Sequence, residues 1–281
     1  MHSLPYLFLV SLALLLIQCK NAHKPALEEA TASENTVSGT PLLRTDSFKF
    51  ALKSEHGSCD VYIDYPVEGP QVIVKTLRDF IKTTLFEHGT ANIGDDPQEM
   101  VRRYCRDRQE ALAKTLEQMG IDHISDTDAP EEGIDIRLTC RGEEFVTYEV
   151  YRYSYITHGA HGEYSDYGVT FRISDGHRFS NDILARTDEQ LFALIREGLK
   201  SYFEVSSDQQ LEEICTTDLS LMPMPTFPPY LVADGVRFHY SIYDICPFDW
   251  GDPAFTIPYA VILPYLTEEA KEVISTQQHH P

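Results

Sequence analysis

Two histidines three residues apart, His158 and His161, sit in the run His158-Gly159-Ala160-His161-Gly162. Imidazoles at this spacing share a metal only if the backbone turns both rings to one side, usually with a carboxylate as third ligand. The glycines here build a turn. His161 is therefore read as holding that turn through backbone groups, with His158 facing solvent and no metal expected. Nucleophilic catalysis has no support, because the chain contains no Gly-x-Ser-x-Gly elbow and no cysteine in a papain-like context. The carboxylate pairs Asp249 with Asp252 and Glu131 with Glu132 are of the types that serve as general acid and base in a cleft. Among 44 Asp and Glu residues, such pairs are expected on any solvated surface. No catalytic residue and no cofactor is expected. The single Trp, Trp250, lies beside Asp249, Gly251 and Asp252 in a turn. If exposed, it would anchor an interface to a basic partner; if buried, Phe248 and Trp250 would plug the end of a sheet. His158, His161, Asp249 and Trp250 are thus the candidate ligand-binding residues.

The pattern around these residues predicts the elements that position them. Strands are expected at Ser47–Lys53 and Val61–Tyr65. A helix from about Pro70 to Phe86 carries Ile73, Leu77, Phe80, Ile81 and Thr84 on one face. A second helix opens at Asp96-Pro97, shows a Val101, Tyr104, Cys105, Leu112, Leu116, Met119 stripe, and stops at Gly120. Alternating segments at Ile134–Cys140 and Phe145–Ile156 join at Arg141-Gly142 as a hairpin, and the second breaks at the His158–Gly162 turn. Tyr167–Ile173 and His177–Ser180 flank an Asp175-Gly176 turn. A helix near Asp188–Phe203 presents Leu191, Phe192, Ile195, Leu199 and Tyr202. After a Pro-rich loop at Met222–Pro229, Asp234-Gly235 turns into a strand at Val236–Tyr243. A last strand at Phe255–Leu263 and a short helix capped by Thr267 follow. Strands and helices are segregated rather than alternating. The fold class expected is α+β: an antiparallel sheet with helices packed on one face, in two intimately packed subdomains.

The N-terminal apolar run Leu4–Ile17 is fourteen residues, too short to span a ~30 Å hydrocarbon core as a helix and the right size for the core of an export signal. Leu16-Ile17-Gln18-Cys19 resembles a bacterial lipoprotein signal, which implies acylation of Cys19. A plain cleaved signal and a structural helix are the alternatives. The domain organisation expected is a signal peptide at 1–18, the lipidated Cys19 with a flexible linker to 44, an N-terminal α+β subdomain at 45–157 and a C-terminal one at 158–281. The formal charge of −21 argues against nucleic acid and would steer a cationic protein or ligand toward the surface. Acidity also serves simply to keep an exported protein soluble. The five remaining cysteines, Cys59, Cys105, Cys140, Cys215 and Cys246, lack CxxC spacing. A structural zinc site is not expected, while one or two disulfides with at least one thiol left over suit an oxidising compartment.

The stretch Gly235-Val236-Arg237-Phe238-His239-Tyr240-Ser241-Ile242-Tyr243-Asp244-Ile245-Cys246-Pro247-Phe248-Asp249-Trp250-Gly251, followed by Ile257-Pro258-Tyr259, resembles the C-terminal signature of a bacterial domain family. That family is shared by RsiV-type anti-sigma factors, by PdaC-type peptidoglycan deacetylases and by many small exported lipoproteins. His158–Gly162 resembles its Gly-Gly-Ala-His-Gly turn, with His158 in place of a glycine. Val61-Tyr62-Ile63-Asp64-Tyr65-Pro66 resembles the start of the N-terminal subdomain often paired with it. The resemblance implies an α+β extracytoplasmic module, which in RsiV-type proteins binds the cationic enzyme lysozyme. No second apolar span, cytoplasmic helical segment or deacetylase domain accompanies it here, so transmembrane signalling is not expected. The function expected is that of a non-enzymatic lipoprotein of the bacterial cell envelope, at the outer membrane. It would bind a cationic, lysozyme-like protein or a peptidoglycan ligand. The alternative is an envelope hydrolase or deacetylase-related enzyme with His158 and His161 at its site.

Overall fold

The computed structural model describes residues 42–86, 93–121, 124–125 and 128–275. Cys19, the signal segment and the linker up to residue 41 lie outside the described residues. Among the described residues no helix is long and apolar enough to cross a membrane.

Strands β1 (Arg44–Ser54) and β2 (Gly57–Glu68) form a hairpin, followed by helices α1 (Gln71–Leu85) and α2 (Pro97–Met119). Strands β3 (Glu131–Arg141), β4 (Phe145–Tyr155) and β5 (Glu163–Arg172) complete a five-stranded sheet in the order β1-β2-β3-β4-β5. The α+β class stands, with one refinement: β2 and β3 pair in parallel, from Ser58 opposite Glu131 to Ile63 opposite Ile136. The reason is topological. Parallel neighbours need a long crossover, and α1 with α2 supplies it.

Alternation gives this sheet two unlike faces. One carries Val61, Ile63, Ile134, Ile136, Tyr148, Val150, Val169 and Phe171, packed into a core with α1 and α2. Every residue of the expected α1 face is buried. On α2 the stripe is buried as far as Leu116, whereas Met119, at the end of the last turn, is exposed. Asp96 caps α2 by accepting from the backbone N–H groups of Gln98 (2.9 Å) and Glu99 (3.3 Å). Gly120 ends it at φ 69°. Both signals act as the sequence predicts.

The second face is half covered. Helix α3 (Glu189–Tyr202), helix α4 (Asp208–Ile214), the three-stranded sheet of β6 (Tyr230–Leu231), β7 (Gly235–His239) and β8 (Ala254–Pro258), helix α5 (Tyr259–Ile262) and helix α6 (Glu268–Ser275) build a second core. Residues 259–262 are helical rather than the end of a strand, because the chain leaves the ladder at Pro258, which has no N–H to donate. Helix α4 has no counterpart in the sequence expectations. On α3, Leu191, Ile195 and Leu199 are buried as expected, but Tyr202 is exposed.

The two layers are joined by buried polar groups. The Thr147 hydroxyl donates to the Leu231 carbonyl (2.7 Å), Thr170 Oγ1 accepts from the Leu231 N–H (2.9 Å), and the hydroxyls lie 2.8 Å apart. Two threonines thus satisfy the backbone of β6 where water is excluded. Tyr230 lies flat on Gly168, where a Cβ would stand 2.3 Å from its ring, and its hydroxyl donates to Glu149 Oε1 at 2.9 Å. The five-stranded sheet takes its last strand from beyond residue 158. All five described cysteines are free thiols, so none of the expected disulfides is present. Four are buried within the two cores, where they pack as small apolar side chains.

Candidate functional site

The turn after β4 is held against the strand it leaves. Its opening residue, His158, has φ 66°, a left-handed conformation in which the resemblance places a glycine. Asp128 offsets that strain: its carboxylate accepts from the His158 N–H (3.2 and 3.3 Å) and from the Tyr155 hydroxyl, and stands 3.5 Å from His158 Nε2. These bonds hold the Asp128 carboxyl below the usual carboxylate range, the Tyr155 hydroxyl contributing most. Gly162 lies against Tyr153, whose ring is 2.4 Å from where a Cβ would stand. Any larger residue there would have to displace the Tyr153 ring.

His161 reaches away from His158. Its Nδ1 lies 3.0 Å from the Gly162 carbonyl, which only accepts, so Nδ1 carries the proton. Nε2 then accepts from the Tyr243 hydroxyl at 3.1 Å, and the ring stacks on Phe248 at 3.8 Å and 20°. The backbone-bonding role expected of His161 is therefore part of its work; the other part joins the turn to the C-terminal corner, 82 residues away in sequence. His158 stays with Asp128, and its side chain is exposed. Among the described residues no group of three or more His, Cys, Asp or Glu is placed to hold a metal ion.

The corner is built by backbone geometry. Tyr243 adopts φ 68° and is 58% exposed. Asp244 fixes the bend by accepting from the Ser241 N–H (2.9 Å) and the Thr226 hydroxyl (2.8 Å). A single 3-10 turn, Phe248–Trp250, then carries Phe248, Asp249 and Trp250. Trp250 is 47% exposed and meets Phe203 edge-on at 5.8 Å; Asp249 is exposed. The Trp250 ring therefore lies at the surface rather than buried. Gly251, at φ 77°, brings the chain under the hydroxyls of Tyr202 and Tyr164, 3.2 and 3.9 Å from its Cβ position. Three of the four candidate residues, His161, Asp249 and Trp250, are thus gathered around Phe248.

Beside the corner lies a polar seam that the sequence reading missed. Val236, Phe238 and Tyr240 enter the second core, so the alternating residues Arg237, His239 and Ser241 face the other way. His239 is 4% exposed and its Nε2 donates to Asp252 Oδ2 at 3.1 Å. Its Nδ1, Arg237 Nε, Ser241 Oγ and Asp166 Oδ1 are buried without a hydrogen-bond partner. Burial pushes the Asp166 carboxyl up, with Glu149 and Asp252 adding to the effect and His239 and Arg237 opposing it. Three polar side chains at alternate positions of an otherwise apolar strand are the sequence signal of this seam. Of the carboxylate pairs, Glu132 is engaged by Arg108 (2.6 Å, Oε1 to Nη2) and Asp252 by His239. Neither pair forms an isolated acid–base dyad.

No family model matches the chain, and no curated protein matches it. Solved structures do. A member of the DUF3298 family from Bacteroides fragilis matches with a TM-score of 0.70 and 23% identity, over 86% of this chain and 99% of that one. A DUF3298 family protein from Pseudomonas aeruginosa matches with a TM-score of 0.53 and 16% identity, over 82% of this chain and 96% of that one. At these identities the likeness is one of fold.

Proposed function

We propose that this chain is a non-enzymatic lipoprotein of the bacterial cell envelope, tethered through Cys19 at the outer membrane. Its α+β module binds a cationic, lysozyme-like protein, with a cell-wall glycan as the second class of ligand. The observation that carries the reading is the pair of exposed aromatic rings Tyr243 and Trp250, set around half-buried Phe248 and beside Asp249 on a chain of net charge −21. Half-exposed aromatic rings with neighbouring carboxylates are the composition of an interface anchor for a basic surface. His161 supports the corner, its two ring nitrogens bonded to the Gly162 carbonyl and the Tyr243 hydroxyl.

The test is a kinetic comparison of the full chain and its Trp250→Ala variant, each immobilised and exposed to lysozyme. An anchor of this kind carries ~2 kcal/mol or more, so the variant should dissociate roughly thirtyfold faster or more. An unchanged dissociation rate would remove Trp250 from the interface. The tether is tested separately: Cys19→Ala should move the protein from the membrane fraction to the soluble one, and retention would refute acylation at that position.

A further inference from the structure

Tyr164, Tyr202 and Trp250 come from three different parts of the chain and converge on Gly251, the residue before Asp252. Tyr164 of β5 lies opposite Tyr153 of β4 in the ladder, two residues from Asp166. Tyr202 ends α3, where an apolar stripe would bury it, yet it stays 39% exposed with its hydroxyl over Gly251. Trp250 and Tyr202 both meet Phe203 edge-on, at 5.8 and 5.0 Å. Asp252 follows Gly251 directly, and His239 fixes one of its oxygens, Oδ2, which sets the direction in which the other accepts. The Asp252 side chain remains 28% exposed.

We propose that Tyr164, Tyr202 and Trp250 form an aromatic cage beside the Asp252 carboxylate, and that the cage receives one lysine or arginine side chain of a cationic partner. The proposal rests on the reading that the partner is cationic and names the subsite that recognises it. Ring faces attract a cation through their quadrupole, and a carboxylate supplies the full counter-charge. Buried acceptor atoms beside the cage strengthen the case: Asp166 Oδ1 and His239 Nδ1 are buried without partners on this face. The Tyr164 and Tyr202 phenols are pushed up first by burial and then by the Asp252 charge. The guanidinium packed here, Arg237, acts on Asp166 within the seam. Charge selects the occupant, since a neutral sugar would gain nothing from Asp252 that a charged side chain does not gain more strongly.

Trp250 is the only Trp, so its emission reports on the cage directly. The full chain is titrated with a ten-residue oligolysine peptide and with the same peptide Nε-acetylated. The expected result is a saturable change in Trp250 emission with the charged peptide alone. Asp252→Asn and Tyr202→Ala should each weaken binding about tenfold, with Tyr202→Phe keeping most of the affinity. Tyr164→Ala provides a second ring deletion should Tyr202→Ala unfold the protein. Equal response to the acetylated peptide, or unchanged affinity in Asp252→Asn and both ring deletions, would overturn the cage. A calorimetric arm with lysozyme separates this from the broader reading. Lysozyme that binds wild type and Asp252→Asn equally well overturns the cage alone; absence of binding to wild type overturns both.

Discussion

His161 shows why residue type and spacing predict chemistry poorly without neighbours. The His158-x-x-His161 spacing invites a shared metal, but the two rings are claimed by different partners: His158 by Asp128, and His161 by Gly162 and Tyr243. Nothing within the turn itself announces Tyr243, 82 residues downstream. The glycine of the turn that packs on Tyr153 was legible as a turn signal, while the reason for it was not, because a close approach is a tertiary fact. Asp128 offers a test at this scale. Its carboxyl is held below the usual range by native hydrogen bonds, so its contribution is complete above the unfolded value and is lost as pH falls through the folded one. Acid titration from about pH 5 to pH 2 should therefore shift the Gly159 and Gly162 amide resonances, and Asp128→Asn should remove that transition. A transition surviving in the variant would assign it to another group.

At the scale of elements, local rules were reliable where a helix or hairpin answers to its own sequence. The Asp96 cap, the Gly120 stop and the α1 face all appear as the spacing predicts. They failed where tertiary contact decides. The parallel β2–β3 pairing depends on where the crossover lands, and the helical turn at 259–262 on leaving the ladder at Pro258. The polar seam of Arg237, His239 and Ser241 shows in the sequence only as alternation; its meaning needs the facing sheet. Two substitutions separate these kinds of information. Asp96→Ala removes a cap that serves two N–H groups and should cost about 1 kcal/mol in denaturant unfolding. Leu77→Ala opens a cavity where α1 meets the sheet and should cost about 2–5 kcal/mol. Equal costs would mean that α1 is packed more loosely than its burial indicates.

For the whole molecule, two packed layers leave half of one sheet face open, and tyrosines and carboxylates populate it. The C-terminal corner and the His158–Gly162 turn close one end, bringing together segments that the sequence resemblance could name only separately. A net charge of −21 surrounds this surface. A cationic partner would be drawn to it by a field that salt screens over a Debye length of ~8 Å at physiological ionic strength. The most direct measurement of the central claim is the Kd of the full chain for lysozyme at about 50 mM and about 300 mM NaCl. The account predicts binding at low salt that weakens by about tenfold or more at high salt. Binding of equal strength at both concentrations, or none at low salt, would contradict it.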